Sequence, residues 1–491
     1  MHFYVTVKTN ITKHPQSLKV FFGTEMWERY GFYVVQTLLA LYLSLYLKWN
    51  DDRTYALVGS FTALTYLSPV IGGWIADKML GQKAAVISGI IFLLLSYCLL
   101  SAFDSDLALT SSLAGIAVGT GLLKPNISSL LGNEYPPGSS RRESGFTIFY
   151  MGITTGIILG TTLPSQLYFY FGWSTSFASA IIGMIFSFFV FVYGMMVYKI
   201  QDYNPSNHNW QSLISAFILI LLLWAVSFYI MYYPDLANLL FAIVVFLSAA
   251  YLFYSIKKEA YKQARLNIVI GLLCIISVTF WTFYFQMFLS LTLFIERVVK
   301  PTVYGIQFPP PYYVTVQSLG MIFFGYFLSK NREKLNLIER GKNTAKKFLM
   351  AILLITLGYV IIDLVCYLAD PHQLISPFYI LPAYLLISLA ELLLSPVGLS
   401  AITVLASRDK VSTMMGIFFV SLGLGGFLSG KLASITAISP QEKDLPLLRA
   451  HYATTFTEIL IILIIASIVC LALYGLIQYL LKDMKTEEEL I

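Results

Sequence analysis

The sequence predicts an all-α integral membrane protein of about fourteen transmembrane helices, two six-helix halves separated by a two-helix insertion. Three observations carry that prediction. Of the 491 residues, 57% are hydrophobic and only 12% charged, at a mean hydropathy of +0.74, which is more apolar surface than a soluble chain of ordinary composition buries. Apolar runs of about 20 residues, the length that crosses a hydrocarbon core, recur from one end of the chain to the other. Lys and Arg gather in the two tails and in every second loop, the bias expected when both termini are cytoplasmic.

Met1 to about Gln16 has no charged start followed by a short apolar stretch and a cleavage site, so it reads as a mature tail and the first span as its own anchor. The first six spans fall near 18–47, 54–77, 84–103, 107–131, 145–168 and 173–198. Two more, near 210–232 and 236–256, are flanked by the polar linkers Gln201–Trp210 and Lys257–Arg265 and form the insertion. The last six lie near 267–296, 312–329, 347–368, 376–406, 412–434 and 453–481. The densest basic cluster, Lys330, Arg332, Lys334, Arg340, Lys342, Lys346 and Lys347, then lies in a cytoplasmic loop. The expected division is 1–200, 201–265 and 266–491. This arrangement resembles the major facilitator plan, in which substrate binds near the membrane midplane and the two halves rock to open each side in turn.

The loop after the second span, Gly72-Gly73-Trp74-Ile75-Ala76-Asp77-Lys78-Met79-Leu80-Gly81-Gln82-Lys83, supports that plan. Its glycines allow close helix packing, and Asp77 with the lysines stands where a charge pair could latch the halves; an ordinary tight polar loop is the plainer reading.

Charges inside spans cost about 2.5–3.5 kcal/mol each on insertion scales and need a partner or a wet cavity. The first span carries Glu25, Glu28 and Arg29, and the spacing puts them on one helical stripe with Phe32, Tyr33 and Gln36. The fourth span offers Lys124 beside Pro125, so that two carboxylates and two cations can neutralise one another. Protonating a glutamate there would release the lysine for a substrate carboxylate; a static ion network is the alternative. Glu391 stands alone in the apolar run near 376–406, and a zwitterion would fit a positive pole of Arg29 and Lys124 and a negative one at Glu391. Glu296, beside Arg297, is a gate contact or a boundary charge, while Asp363 and Glu458 read as boundary residues. Cys98, Cys274, Cys366 and Cys470 read as small core residues, and the five histidines show no metal-ligand spacing.

At these residues the chain resembles the proton-dependent oligopeptide transporter (POT) family, bacterial type, over nearly its whole length. The motifs are Glu25, Glu28, Arg29, Tyr30, Phe32 and Tyr33; Lys124-Pro125-Asn126-Ile127-Ser128; and Glu391 with Ser395-Pro396-Val397-Gly398. The resemblance implies proton symport of di- and tripeptides, with the peptide carboxylate on Arg29 and Lys124 and its amino group on Glu391. It implies proton coupling at Glu25 and Glu28 with Arg29 and Lys124, gate roles for Asp77 and Glu296, and a substrate site that also takes in Tyr33, Tyr66, Tyr150, Thr154, Gln286 and Ser395. Thr154 stands where the family usually has an asparagine, Gly320 replaces another after Gln317-Ser318-Leu319, Phe285-Gln286 replaces a Glu-Gln pair, and Gln36 replaces a second arginine. Those departures leave open a proton-coupled importer of another small zwitterionic or anionic solute. A non-transporting receptor has no use for the titratable pair, and an enzyme would need a nucleophile, metal cluster or phosphate loop that the sequence does not offer. The implied partners are small peptides, protons and the lipid bilayer, with no cofactor, no metal and no nucleic acid, in a monomer of the bacterial inner membrane.

Overall fold

The computed structural model describes residues 13–135, 141–200, 202, 210–328, 337–407, 410–439 and 442–482. The first six long helices are α1 (Leu18–Leu41), α2 (Asp51–Ile75), α3 (Gln82–Ala102), α4 (Asp106–Asn133), α5 (Arg141–Phe171) and α6 (Trp173–Tyr198). Next come α7 (Trp210–Tyr232) and α8 (Pro234–Lys258). The remainder is α9 (Tyr261–Tyr284), α10 (Ser290–Val298), α11 (Pro311–Leu328), α12 (Leu337–Leu368), α13 (Pro377–Leu405), α14 (Val411–Ala433) and α15 (Leu445–Lys482). Lys330, Arg332 and Lys334 of the basic cluster, and most of the linker before α7, lie outside the described residues.

Twelve helical segments among the described residues are long and apolar enough to cross a membrane, with α9 and α10 together making one of them. The two expected spans outside that set are α1, which carries Glu25, Glu28 and Arg29 in its middle, and α11, which has 18 residues and places Gln317 and Ser318 among its aromatics. In each, polar side chains interrupt the apolar run. The chain is a multi-pass membrane protein, and large apolar side chains such as Trp210, Phe246 and Tyr479 stand exposed along its helices, as a lipid solvent allows.

The fold contains one element the all-helical reading did not foresee. Between α10 and α11, Thr302–Val303 pairs antiparallel with Ile306–Gln307, and Tyr304 and Gly305 turn the hairpin with φ of 50° and 79°. Two successive positive φ values match the twist of paired strands, and the glycine takes the second without strain.

Two compact units account for the chain, each considered by itself: Met1–Val35 with Ser68–Phe228, and Gln36–Leu67 with Tyr229–Ile491. In the first, α2 and α4 meet backbone to backbone, since a Cβ on Gly72 would lie 2.2 Å from the Gly121 carbonyl oxygen. Helix α7 docks here, burying Ala216 and Ile220 against Ile75, Ala76 and Val118, with Trp224 donating to the Ser111 carbonyl at 3.1 Å. In the second unit α8 docks through Phe241, stacked on Phe427 at 4.2 Å between ring centres, and through Ser255, which accepts from Asn267. The start of α2 packs there on α14, where a Cβ on Gly59 would come 2.9 Å from the Gly430 Cα.

Candidate functional site

In the first unit, the predicted stripe of α1 is buried: Glu25, Glu28 and Arg29 are 1%, 0% and 4% exposed. The Arg29 guanidinium forms a fork on Glu28, with Nη2 donating to Oε1 at 2.6 Å and Nε donating to Oε2. Such planar bidentate pairing fixes direction as well as charge. Arg29 Nε also lies 3.4 Å from Glu25 Oε1, and its carbon stands 4.9 Å from the centre of the Phe32 ring. From α4, Thr120 Oγ1 donates to Glu28 Oε1 at 3.2 Å. Lys124, one turn further along the same face of α4, is partly buried and within electrostatic reach of Glu25, Glu28 and Arg29. The formal charges of these four groups cancel.

Within that cluster the two carboxylates differ. Glu28 is held by three donated hydrogen bonds, whereas the buried Oε2 of Glu25 has no hydrogen-bond partner. A buried carboxylate oxygen without a donor is costly, so the two carboxylates are not equivalent. Around the cluster, Tyr33 is half-buried and edge-on to Phe32 at 5.4 Å, and Tyr150 is 57% exposed within electrostatic reach of Glu25. Thr154 donates its hydroxyl to the Tyr150 carbonyl of its own helix at 3.1 Å. The approach of α5 to α1 requires Gly156, where a Cβ would lie 2.2 Å from the Met26 carbonyl oxygen.

In the second unit Glu391 lies on α13, partly buried, and receives two neutral donors on one oxygen. Tyr284 Oη donates to Oε2 at 2.7 Å, and Gln317 Nε2 donates to the same atom at 2.6 Å. Among the described residues no cation pairs with it. Tyr284 is the last residue of α9, immediately before the helix breaks into a tight turn at Phe285–Phe288 and resumes as α10. The carbonyls freed at the break are met by side chains: Gln286 Nε2 donates to the Thr282 carbonyl at 3.2 Å and Tyr359 Oη to the Phe283 carbonyl at 2.9 Å. Gln286 is fully buried and its amide is committed to that break: Nε2 donates to the Ser429 carbonyl at 2.8 Å, and Oε1 accepts from Ser290 at 2.6 Å. Tyr66 packs its ring 5.4 Å from Phe285 and 6.3 Å from Trp281. Ser395 is partly buried on α13, one turn beyond Glu391. Gly320 faces α13 so closely that a Cβ would lie 2.5 Å from Ser388 Oγ, leaving no room for a carboxamide at that position.

Of the two gate candidates, Asp77 is exposed on the π-helical turn Ala76–Leu80 and Glu296 is half-buried at the end of α10. The engaged residue is its neighbour. Arg297 forks onto Asp51, at the start of α2, with both Nη atoms 2.7 Å from the carboxylate oxygens, and also donates to Tyr452 Oη at 3.0 Å and Ser44 Oγ at 3.2 Å. Asp51 additionally accepts from the Ile438 backbone N–H at 3.1 Å. Gln36, where a second arginine was looked for, donates instead to Thr62 Oγ1 at 3.2 Å.

Sequence reasoning passed over Thr120, Tyr284, Asp51 and the role of Arg297. Thr120 was findable, because it sits four residues before Lys124 and so shares its face. Asp51 looks like an ordinary acidic first turn of a helix, and nothing local distinguishes it.

A model of the POT family matches residues 83–446. Among curated proteins, the dipeptide and tripeptide permease A of Erwinia pyrifoliae is 29% identical over 456 residues, covering 92% of each chain. That of Salmonella typhimurium is 28% identical over 495 residues, 99% of this chain and 97% of the relative. Among solved structures, a proton-dependent oligopeptide transporter superposes with TM-score 0.81 at 25% identity over 94% of this chain and 99% of that one. The crystal structure of tetrameric PepTSo2 superposes equally well, with TM-score 0.81, 25% identity and the same coverage of both chains. With a buried Glu–Glu–Arg cluster on α1, a lysine on α4, a lone glutamate on α13 and a family model spanning most of its length, this chain belongs to the POT family.

Proposed function

We propose that the protein is a secondary transporter that imports di- and tripeptides together with protons by alternating access. The observation that carries this reading is the charge-balanced group on α1 and α4, in which Glu25 and Glu28 share Arg29 and Lys124. Protonating either carboxylate leaves the group with a surplus positive charge, which an incoming peptide carboxylate neutralises. Arg29 and Lys124 take that carboxylate, and Glu391 takes the amino group. Tyr33, Tyr66, Tyr150, Thr154 and Ser395 line the route, Gln286 supports it from the helix break, and Asp77 and Glu296 serve at its ends. The names of the relatives support the peptide reading over that of another small zwitterionic or anionic solute.

The halves that alternate are 1–200 and 266–491, joined by the insertion 201–265. The protein sits in the bacterial inner membrane with both termini in the cytoplasm, where its basic loops face anionic headgroups and the interior. The working unit in this reading is a monomer. The driving force is the proton gradient, and no cofactor enters the scheme.

A dipeptide at about 100 times its Kd should stabilise the purified protein by about 2.7 kcal/mol, read as a rise in melting temperature. A free amino acid at the same concentration should leave the melting temperature unchanged. An equal rise with both ligands would point to the other-solute reading.

A further inference from the structure

The lone carboxylate of α13 is held asymmetrically, and the asymmetry assigns roles to two residues. Both of its donors reach Oε2, Tyr284 from the end of α9 and Gln317 from α11. Each donor is itself fixed. Tyr284 directly precedes the helix break, which is locked by the buried amide of Gln286 on Ser429 and Ser290. The Gln317 amide oxygen accepts from Ser318 Oγ at 3.4 Å, which orients Nε2 toward Glu391, and the Gln317 carbonyl accepts from Ser388 Oγ on α13 at 2.6 Å. Gly320 lets α11 and α13 approach closely enough for that contact. With no carboxamide at position 320, the Gln317 amide and the Tyr284 hydroxyl are the two donors that clamp Glu391.

We propose that Tyr284 and Gln317 are positioning residues that hold Glu391 by one oxygen and present the other, Oε1, to the primary ammonium of the substrate. The proposal rests on the peptide-transport reading and specifies how the amino terminus is selected. Two neutral donors orient the carboxylate without cancelling its charge, and among the described residues no cation competes with the one the substrate brings. A ligand whose nitrogen is acylated gains nothing from the clamp.

The test uses the full-length protein in proteoliposomes, with uptake of a labelled dipeptide inhibited by an unlabelled dipeptide or by its N-acetyl form. Tyr284→Phe keeps the ring and removes the donor; Gln317→Met keeps the length and removes the amide. Each should raise the half-inhibiting concentration of the free dipeptide about tenfold, the effect of one hydrogen bond to a charged group, and leave that of the acetylated form unchanged. In a Glu391→Gln background, Tyr284→Phe should produce no further loss of discrimination. Equal losses for both ligands, or no loss in either variant, would overturn the clamp. Wild-type vesicles that take up no dipeptide at all would instead overturn the transport reading beneath it.

Discussion

Replacing Glu25 or Glu28 by glutamine is expected to abolish accumulation of peptide against its gradient while leaving exchange at equal pH intact in at least one of the two variants. The physical reason is that glutamine keeps the size and hydrogen-bonding reach of the side chain but cannot gain or lose a proton. The two sites should not respond alike. Glu28 is the Arg29 partner, forked by the guanidinium and capped by Thr120, so its replacement also frees a buried arginine and should reduce exchange as well. Glu25 keeps only a longer contact to Arg29 and has one oxygen with no partner, so Glu25→Gln should spare exchange. Uptake under an imposed pH gradient set beside counterflow at equal pH separates the two. Accumulation at the wild-type rate in both variants would place the proton elsewhere, with Glu296 or Glu391 next in line.

The second large effect belongs to Arg297. Its guanidinium forms two bonds to an Asp51 side chain that has no solvent exposure, and Asp51 takes a third from the Ile438 backbone. Removing one member of such a pair leaves an uncompensated buried charge, so Arg297→Ala should destabilise the protein by about 3–5 kcal/mol. Exchanging both members for apolar residues of similar volume, Arg297→Met with Asp51→Leu, should recover most of that loss, because the desolvation cost disappears with the charges. Melting of the wild type and the two variants in detergent decides it: Arg297→Ala as stable as wild type would mean that the pair contributes nothing. On the alternating-access reading, the contacts that fasten the start of α2 beside α10, α14 and α15 belong to one end of the cycle. Arg297→Ala should then also favour the other end.

Much of this architecture was legible because lipid imposes a strong and simple rule. A run of about 20 apolar residues must be a helix, and nearly every expected span lies within a few residues of a helix here. The charged members of the site were legible for the converse reason: Glu25, Glu28, Arg29, Lys124 and Glu391 are conspicuous where charge is expensive. What stayed hidden are neutral donors and long-range partners. Nothing in the run Phe283-Tyr284-Phe285 says that one of three aromatics carries the hydroxyl that reaches α13. The Asp51–Arg297 pair joins residues far apart in sequence, and hydropathy is silent on pairing. The hairpin at Thr302–Gln307 is too short for any strand pattern to register.

The central claim is that this chain moves short peptides with protons, and uptake of a labelled dipeptide into proteoliposomes containing the purified protein tests it most directly. With an inwardly directed proton gradient the vesicles should accumulate the dipeptide above its external concentration, and collapsing the gradient with a protonophore should bring it back to equilibrium. Accumulation that is unaffected by the protonophore, or none for any di- or tripeptide in vesicles that concentrate another solute, would contradict the account.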